Sequence, residues 1–219
     1  MKILLFSGGI ESTCLACSWR PDVCFTVDYG QVSAPGELAA SRLIARYLHL
    51  EHEVARINLN EFGAGLLSGR GRTGPKNAPE FWPFRNQMLI TLTAMRFSRI
   101  PNVHICIGTV LTDRRHPDGT SLFLRSMKRL LQVQRDDFVL EYPAARNLTQ
   151  SLIEQSRADD ILGFTFSCHT GPITCGRCPG CRKNLALREW SVSRRLRQKS
   201  RASHQTGSAK LTSMARASR

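Results

Sequence analysis

The 219-residue sequence has no apolar run long enough to cross a bilayer. Only four strongly apolar residues, Ile3 to Phe6, precede the first Ser-Gly-Gly, too few for the core of a secretory signal. A cytoplasmic chain without a membrane segment is the expectation. Acidic residues are also scarce: 17 Asp and Glu stand against 31 Lys and Arg, a net charge of +14. The imbalance is concentrated at the end. Between Arg188 and Arg219 nine Lys and Arg face Glu189 alone, so eight of the fourteen net charges lie there and six in residues 1–187. A stretch rich in Ser, Ala, Arg and Lys, with few large apolar residues after Leu196, is expected to be disordered. It has no aromatic residue after Trp190, so it lacks the stacking platforms of single-strand nucleic-acid readers. Weak, nonspecific contact with RNA or DNA is what its charge offers.

The remaining length and the 42% apolar content suffice for one core with small additions. That core opens on Ile3-Leu4-Leu5-Phe6, a short strand, followed by Ser7-Gly8-Gly9-Ile10-Glu11-Ser12-Thr13 and an apolar helix through Trp19. Adjacent glycines let a backbone turn sharply and approach an anion, and hydroxyls at a helix N-terminus complement its free amides. No lysine precedes the Ser-Thr, so the Walker A pattern is not met. Taken alone, the stretch is equally consistent with a plain strand-to-helix turn. It resembles the loop of the ATP pyrophosphatase family. That resemblance implies that Ser7, Gly8, Gly9, Ser12 and Thr13 hold the triphosphate of an ATP cleaved between its α- and β-phosphates. Glu11 stands where the family usually has aspartate.

The β-branched run Val23–Val27 predicts a second strand, ending in Asp28-Tyr29-Gly30-Gln31, a position suited to a nucleotide contact. Helical spacing from Gly36 and a strand over Glu53–Ile57 continue a β-α-β-α-β order, which argues a parallel sheet with helices on its faces. A glycine- and proline-rich loop over residues 63–83 ends in Trp82-Pro83-Phe84-Arg85-Asn86. Asn86 is expected to cap the helix that follows. Arg85 is either a bidentate clamp for a phosphate or carboxylate or an ordinary surface arginine. A strand over Val103–Ile107 leads to Asp113 and Pro117-Asp118. A helix from Ser121 to about Gln132 is expected to turn Leu122, Phe123, Met127, Leu130 and Leu131 inward, before a strand at Phe138–Leu140 and a helix capped by Thr149.

Cys168, Cys175, Cys178 and Cys181 have six, two and two residues between them. Two-residue spacers let thiolates converge on one tetrahedral ion, and Gly176 and Gly180 free the backbone to fold around it. Four thiolates leave no open position, so a structural zinc is predicted. Cys14, Cys17, Cys24 and Cys106 lie in apolar elements as small core residues, and His169 is a bystander beside a ligand.

Taken in order, the Ser-Gly-Gly loop, Asp28-Tyr29-Gly30-Gln31, Trp82-Pro83-Phe84-Arg85-Asn86, Asp113 with Pro117-Asp118, and the four cysteines resemble the 7-cyano-7-deazaguanine synthase family over residues 3–187. The resemblance implies an α/β fold of the adenine-nucleotide α-hydrolase kind in residues 1–165, a zinc-binding unit in 166–190, a basic tail in 191–219, and a homodimer. It implies conversion of 7-carboxy-7-deazaguanine, ammonia and ATP, with Mg2+, to the nitrile that precedes queuosine. Ser7, Gly8, Gly9, Glu11, Ser12, Thr13, Asp28, Tyr29, Gly30 and Gln31 would then hold the nucleotide. Trp82, Phe84, Arg85, Asn86 and Asp113 would hold the deazaguanine, with Arg85 and Asp118 in the chemistry. The sequence departs from the family at three places. Besides Glu11, Gln150 follows Thr149 where a lysine is usual, and Gly119-Thr120 stands where Cys-Arg commonly follows Pro-Asp. Another basic residue, Arg146 foremost, would have to supply the lost cation. Two further readings stand beside this one: a diverged ligase passing its activated carboxylate to another acceptor, in phage defence or DNA modification, and a zinc module that binds nucleic acid.

Overall fold

The computed structural model describes residues 1–71 and 78–216, with side chains through Ser200. Gly74 and Pro75 of the long loop lie outside the described residues. Five strands, Lys2–Leu5 (β1), Val23–Asp28 (β2), Glu51–Arg56 (β3), Val103–Cys106 (β4) and Phe138–Glu141 (β5), form one parallel sheet in the order β3-β2-β1-β4-β5. The helices are Ile10–Trp19 (α1), Ala34–Tyr47 (α2), Arg85–Arg96 (α3), Ser121–Gln134 (α4), Thr149–Ser156 (α5) and Pro179–Arg216 (α6). Strand order reverses between β1 and β4, and a crevice opens there beyond the carboxyl ends of the strands.

The period-2 alternation along β1 builds a core on each face of the sheet. Ile3 and Leu5 turn to one side with Val23, Phe25, Ile105 and Leu140, against Ile90 and Phe97 below α3 and Leu124, Met127 and Leu131 of α4. Leu4 and Phe6 turn to the other with Cys24 and Cys106, against Ile10, Cys14, Ile44, Ile153 and Leu187. Phe25 and Phe97 meet edge to face at 5.3 Å, a pair worth about 1 kcal/mol beyond its burial. Burial pushes the Cys14 and Cys24 thiols up to about 12, as befits small apolar fillers.

Two local expectations are corrected. On α4 the buried stripe is Leu124, Met127 and Leu131, while Leu122 and Leu130 are 68% and 47% exposed. The 3-4 spacing of that stripe selects one face, and the two leucines fall outside it. Asn86 is inside α3, not its cap; the helix starts at Arg85 after Phe84, whose φ of 61° turns the chain and whose own side chain makes no capping bond. Thr149 likewise is the first residue of α5, with Leu148 at the cap position.

Helix α6 begins within the cysteine cluster and continues to Arg216. Ser191 Oγ donates to Asp159 Oδ1 at 2.5 Å, and Arg194 Nη2 grips both oxygens of Asp159 at 2.6 and 2.7 Å. Arg195 pairs with Asp160. Among the described residues no helix is long and apolar enough to cross a membrane.

Candidate active site

β1 delivers the chain to Ser7, and Gly8 then takes φ +71°. A Cβ on Gly8 would lie 2.7 Å from the Ser41 amide nitrogen, so glycine is required twice over, by torsion and by space. Gly9 is the N-cap of α1 and supplies no side chain, leaving the first-turn amides free to meet an anion. Ser12 Oγ bonds the Gly9 carbonyl at 3.2 Å and lies 3.4 Å from Ser7 Oγ, which accepts from the Gly9 amide at 3.3 Å. Thr13 is fully buried and its Oγ1 has no partner among the described residues.

A cavity of about 310 Å³ opens over this loop at the crevice between β1 and β4. Ser7, Gly9, Glu11 and Ser12 form one end, while Tyr29, Glu37, Glu80, Arg85, Asn86 and Asp113 contribute to the rest. Of the second motif, Tyr29 alone reaches it. Gln31 is spent on the turn: its Oε1 accepts from the Tyr29 amide at 2.9 Å and its Nε2 donates to Glu37 at 3.1 Å. Asp28 Oδ1 accepts from the Gly30 amide at 3.2 Å, and both residues line a separate hollow near Asn60. These three shape the bend that aims Tyr29 and Glu37 into the cavity.

Trp82 is buried edge-on against Tyr29 at 5.1 Å and does not line the cavity, whereas Phe84 is 73% exposed. Arg85, at the entrance of α3, does line it and faces Tyr29, Asp118, Glu37 and Asp113. Burial would lower its pKa, and these neighbours overcome that and raise it. Burial pushes the carboxyls of Glu37 and Asp113 upward. Asp118 acts from behind: its Oδ2 accepts the Asn86 amide and its carbonyl accepts Asn86 Nδ2, both at 3.0 Å. Asp118 thereby caps α3 from 32 residues away and fixes the origin of Arg85.

Several cavity residues escaped the sequence reading. Glu80 is buried; its Oε1 bonds Arg115 and lies 3.4 Å from His116 Nε2, while its Oε2 has no partner among the described residues. Burial would raise its pKa, but His116, a local amide and Arg115 hold it at about 2. Lys183, from α6, sets its Nζ 2.5 Å from Glu11 Oε1, which also accepts from Thr149 Oγ1 at 2.9 Å. Burial would raise Glu11, yet Lys183 and Thr149 hold it below the usual carboxylate range. Gln150 and Arg146 are exposed and absent from the cavity walls. The signal that could have found Lys183 was its place two residues after Cys181; Glu80, in an irregular loop, offered none.

The sulfurs of Cys168, Cys175, Cys178 and Cys181 all lie within 4.8 Å of one another. Gly176, at φ +71°, turns the knuckle, and amides of His169, Arg177, Cys178 and Cys181 point at Cys178 or Cys175 sulfur at 3.3–3.4 Å. An all-thiolate, closed set with N–H groups directed at its sulfurs fits a structural metal ion and offers no place for substrate.

A family model described as queuosine biosynthesis protein QueC matches residues 1–190. The chain belongs to the QueC family. A 7-cyano-7-deazaguanine synthase 1 from Desulfitobacterium hafniense is 32% identical over 197 residues, covering 82% of this chain and 87% of that protein. A 7-cyano-7-deazaguanine synthase from Azoarcus sp. is 29% identical over 204 residues, covering 82% and 88%. A solved structure from Methanocaldococcus jannaschii, described as a "predicted subunit of tRNA methyltransferase", overlays 72% of this chain and 74% of its own at TM-score 0.49 and 16% identity. The QueC match ends at Trp190, one residue before Ser191 makes its contact with Asp159.

Proposed function

We propose that this QueC-family chain makes 7-cyano-7-deazaguanine from 7-carboxy-7-deazaguanine, ammonia and ATP, through an adenylated carboxylate and an amide. The observation that carries this is the cavity itself. One part of its wall is a glycine-turned helix N-terminus with no side-chain cap, suited to phosphate; on another, Glu80 offers a buried carboxylate oxygen without a partner among the described residues. A guanine edge presents adjacent N–H donors, the complement of such an acceptor. Phe166 lines the cavity and can cover a planar ring, a role expected of Trp82 and Phe84 but unsupported by where they lie.

Hydroxide is a poor leaving group, so the carboxylate needs activation. Its oxygen attacks the α-phosphorus, pyrophosphate departs into the loop amides, and Arg85 faces the developing charge on the acyl and phosphoryl oxygens. Ammonia attacks the acyl carbon, AMP leaves, and the amide forms. Activation of the amide oxygen by a second ATP lets that oxygen leave as AMP while the nitrogen loses its remaining protons, completing the nitrile. Glu37 and Asp113, which line the cavity with upward-shifted pKa values, are suited to take those protons. Magnesium arrives as the counter-ion of ATP. Zinc, held by the four cysteines, would supply a cross-link and no chemistry at the substrate.

A homodimer is part of the same proposal, supported by exposed Leu122, Leu130 and Val133 on one side of α4. Light scattering on the purified chain should give twice the monomer mass, and a monomer at micromolar concentration would remove this part. For the chemistry, the chain is incubated with 7-carboxy-7-deazaguanine, ATP and ammonium, and products are read by mass spectrometry. The nitrile, AMP and pyrophosphate are expected. Accumulation of the amide or adenylate alone would point to a ligase with another acceptor, and ADP with orthophosphate would contradict the reading.

A further inference from the structure

Helix α6 belongs at once to the cysteine cluster and to the phosphate loop. Cys181 sits on its first turn, and two residues later Lys183 reaches across to Glu11 on the first turn of α1. The strand-like segment before the cluster is tied to the same loop, for the Phe166 amide donates to the Gly8 carbonyl at 2.9 Å. Asn184 Nδ2 then clasps that segment to α6, donating to Thr165 Oγ1 at 2.9 Å and Ser167 Oγ at 3.2 Å. The fit is close: a Cβ on Gly180 would lie 1.9 Å from the Ser167 carbonyl oxygen. The metal-binding unit is thus built onto the phosphate loop, with no spacer between them.

The cations around the cavity are unevenly engaged. Arg115 is bound to buried Glu80, and Arg85 lies among Tyr29, Asp118, Glu37 and Asp113. Among the described residues, no hydrogen bond or ion pair joins either of them to residues 7–13. Lys183 does, through Glu11, and its side chain remains 41% exposed. Where α5 begins, Thr149 also meets Glu11, but its neighbour Gln150 carries no charge and faces solvent.

We propose that Lys183 is the cation that binds the ATP triphosphate at this loop, and that the four-cysteine unit exists in part to deliver it, with Glu11 holding the ammonium group in place before the nucleotide arrives. An ammonium group carries three donors, so it can bond phosphate oxygens while keeping Glu11. A polyphosphate brings more negative charge than one carboxylate, which favours the transfer of donors when it enters. The inference rests on the ATP chemistry proposed above and adds to it a residue and a role for the cluster.

The test is calorimetric binding of α,β-methylene-ATP with Mg2+ to the full chain and to Lys183→Met, which needs neither the deazaguanine nor turnover. The variant should keep its metal content by elemental analysis and its circular dichroism, and bind the analogue roughly 10- to 100-fold more weakly, the range for one charge-assisted hydrogen bond. Wild-type affinity in a folded, metal-loaded Lys183→Met chain overturns the inference and leaves the ATP reading intact. Failure of the wild-type chain to bind the analogue overturns both. If Lys183→Met misfolds, Lys183→Gln serves with the same readouts, and retained affinity there overturns the proposal equally.

Discussion

Glu80 is a buried carboxylate that stays ionised because Arg115 and His116 stand beside one of its oxygens. Its native pKa, about 2, is below the value of a free glutamate, so between those limits the unfolded chain binds more protons than the folded one. The stabilisation is fully present above the unfolded pKa and is lost as pH falls toward 2. Glu80→Gln should therefore cost about 2 kcal/mol at pH 7 by urea unfolding and flatten the acid limb below about pH 4.5. An unchanged acid limb in the variant would show that another carboxylate governs it. None of this was legible in Pro79-Glu80-Phe81, where a single acid in a proline-rich loop carries no periodic signal. Arg85 was legible as a candidate because it opens a helix; its surroundings were not, since Tyr29 comes from the end of β2 and Asp113 and Asp118 from the segment after β4, both distant in sequence.

At the level of elements, the features readable in sequence are those that local rules determine. β-branched and apolar runs placed four strands to within one residue and β3 to within two, and the Gly-Gly turn after β1 was visible because torsion demands it. β3 begins two residues earlier than its apolar pattern suggests, at Glu51, because an edge strand needs no buried face. The caps were misread because their partners are distant: Asp118 closes α3, and Thr149 is turned to Glu11 in place of its own helix end. The cysteine cluster was fully legible because spacing alone brings thiolates together. It should bind about one zinc per chain by elemental analysis. Chelation or Cys178→Ser should lower stability by several kcal/mol, since metal binding in a small loop-rich unit contributes on the order of 10 kcal/mol to its folding. Because Phe166 bonds Gly8, the loss should spread to the Gly8-Gly9 loop and weaken the nucleotide binding proposed for it. A metal-free chain with undiminished stability would refute the assignment.

For the whole molecule the question is where the folded body ends. Composition places the boundary at Trp190, since basic and small residues follow, and a cut there would be expected to leave the fold intact. The contacts place it farther on. Asp159 is 13% exposed in its side chain and, among the described residues, takes its ion-pair and hydroxyl partners from beyond that cut, Arg194 and Ser191. Arg194 also lies over the Trp190 ring at 5.3 Å, so it seals the end of the apolar cluster that Trp190 joins. Removing residues 191–219 would strip a nearly buried carboxylate of both partners, at a cost of about 2–3 kcal/mol. Removing only residues 201–219 spares every one of these bonds. The expectation is a chain ending at Ser200 with the melting temperature and turnover of the full protein, and a chain ending at Trp190 that melts several degrees lower, since about 2–4 °C accompanies each kcal/mol at this size. Any affinity for RNA should fall in both, because each loses the cationic end. Equal melting temperatures for the two truncations would show that the clasp on Asp159 contributes nothing and that the folded body closes at Trp190.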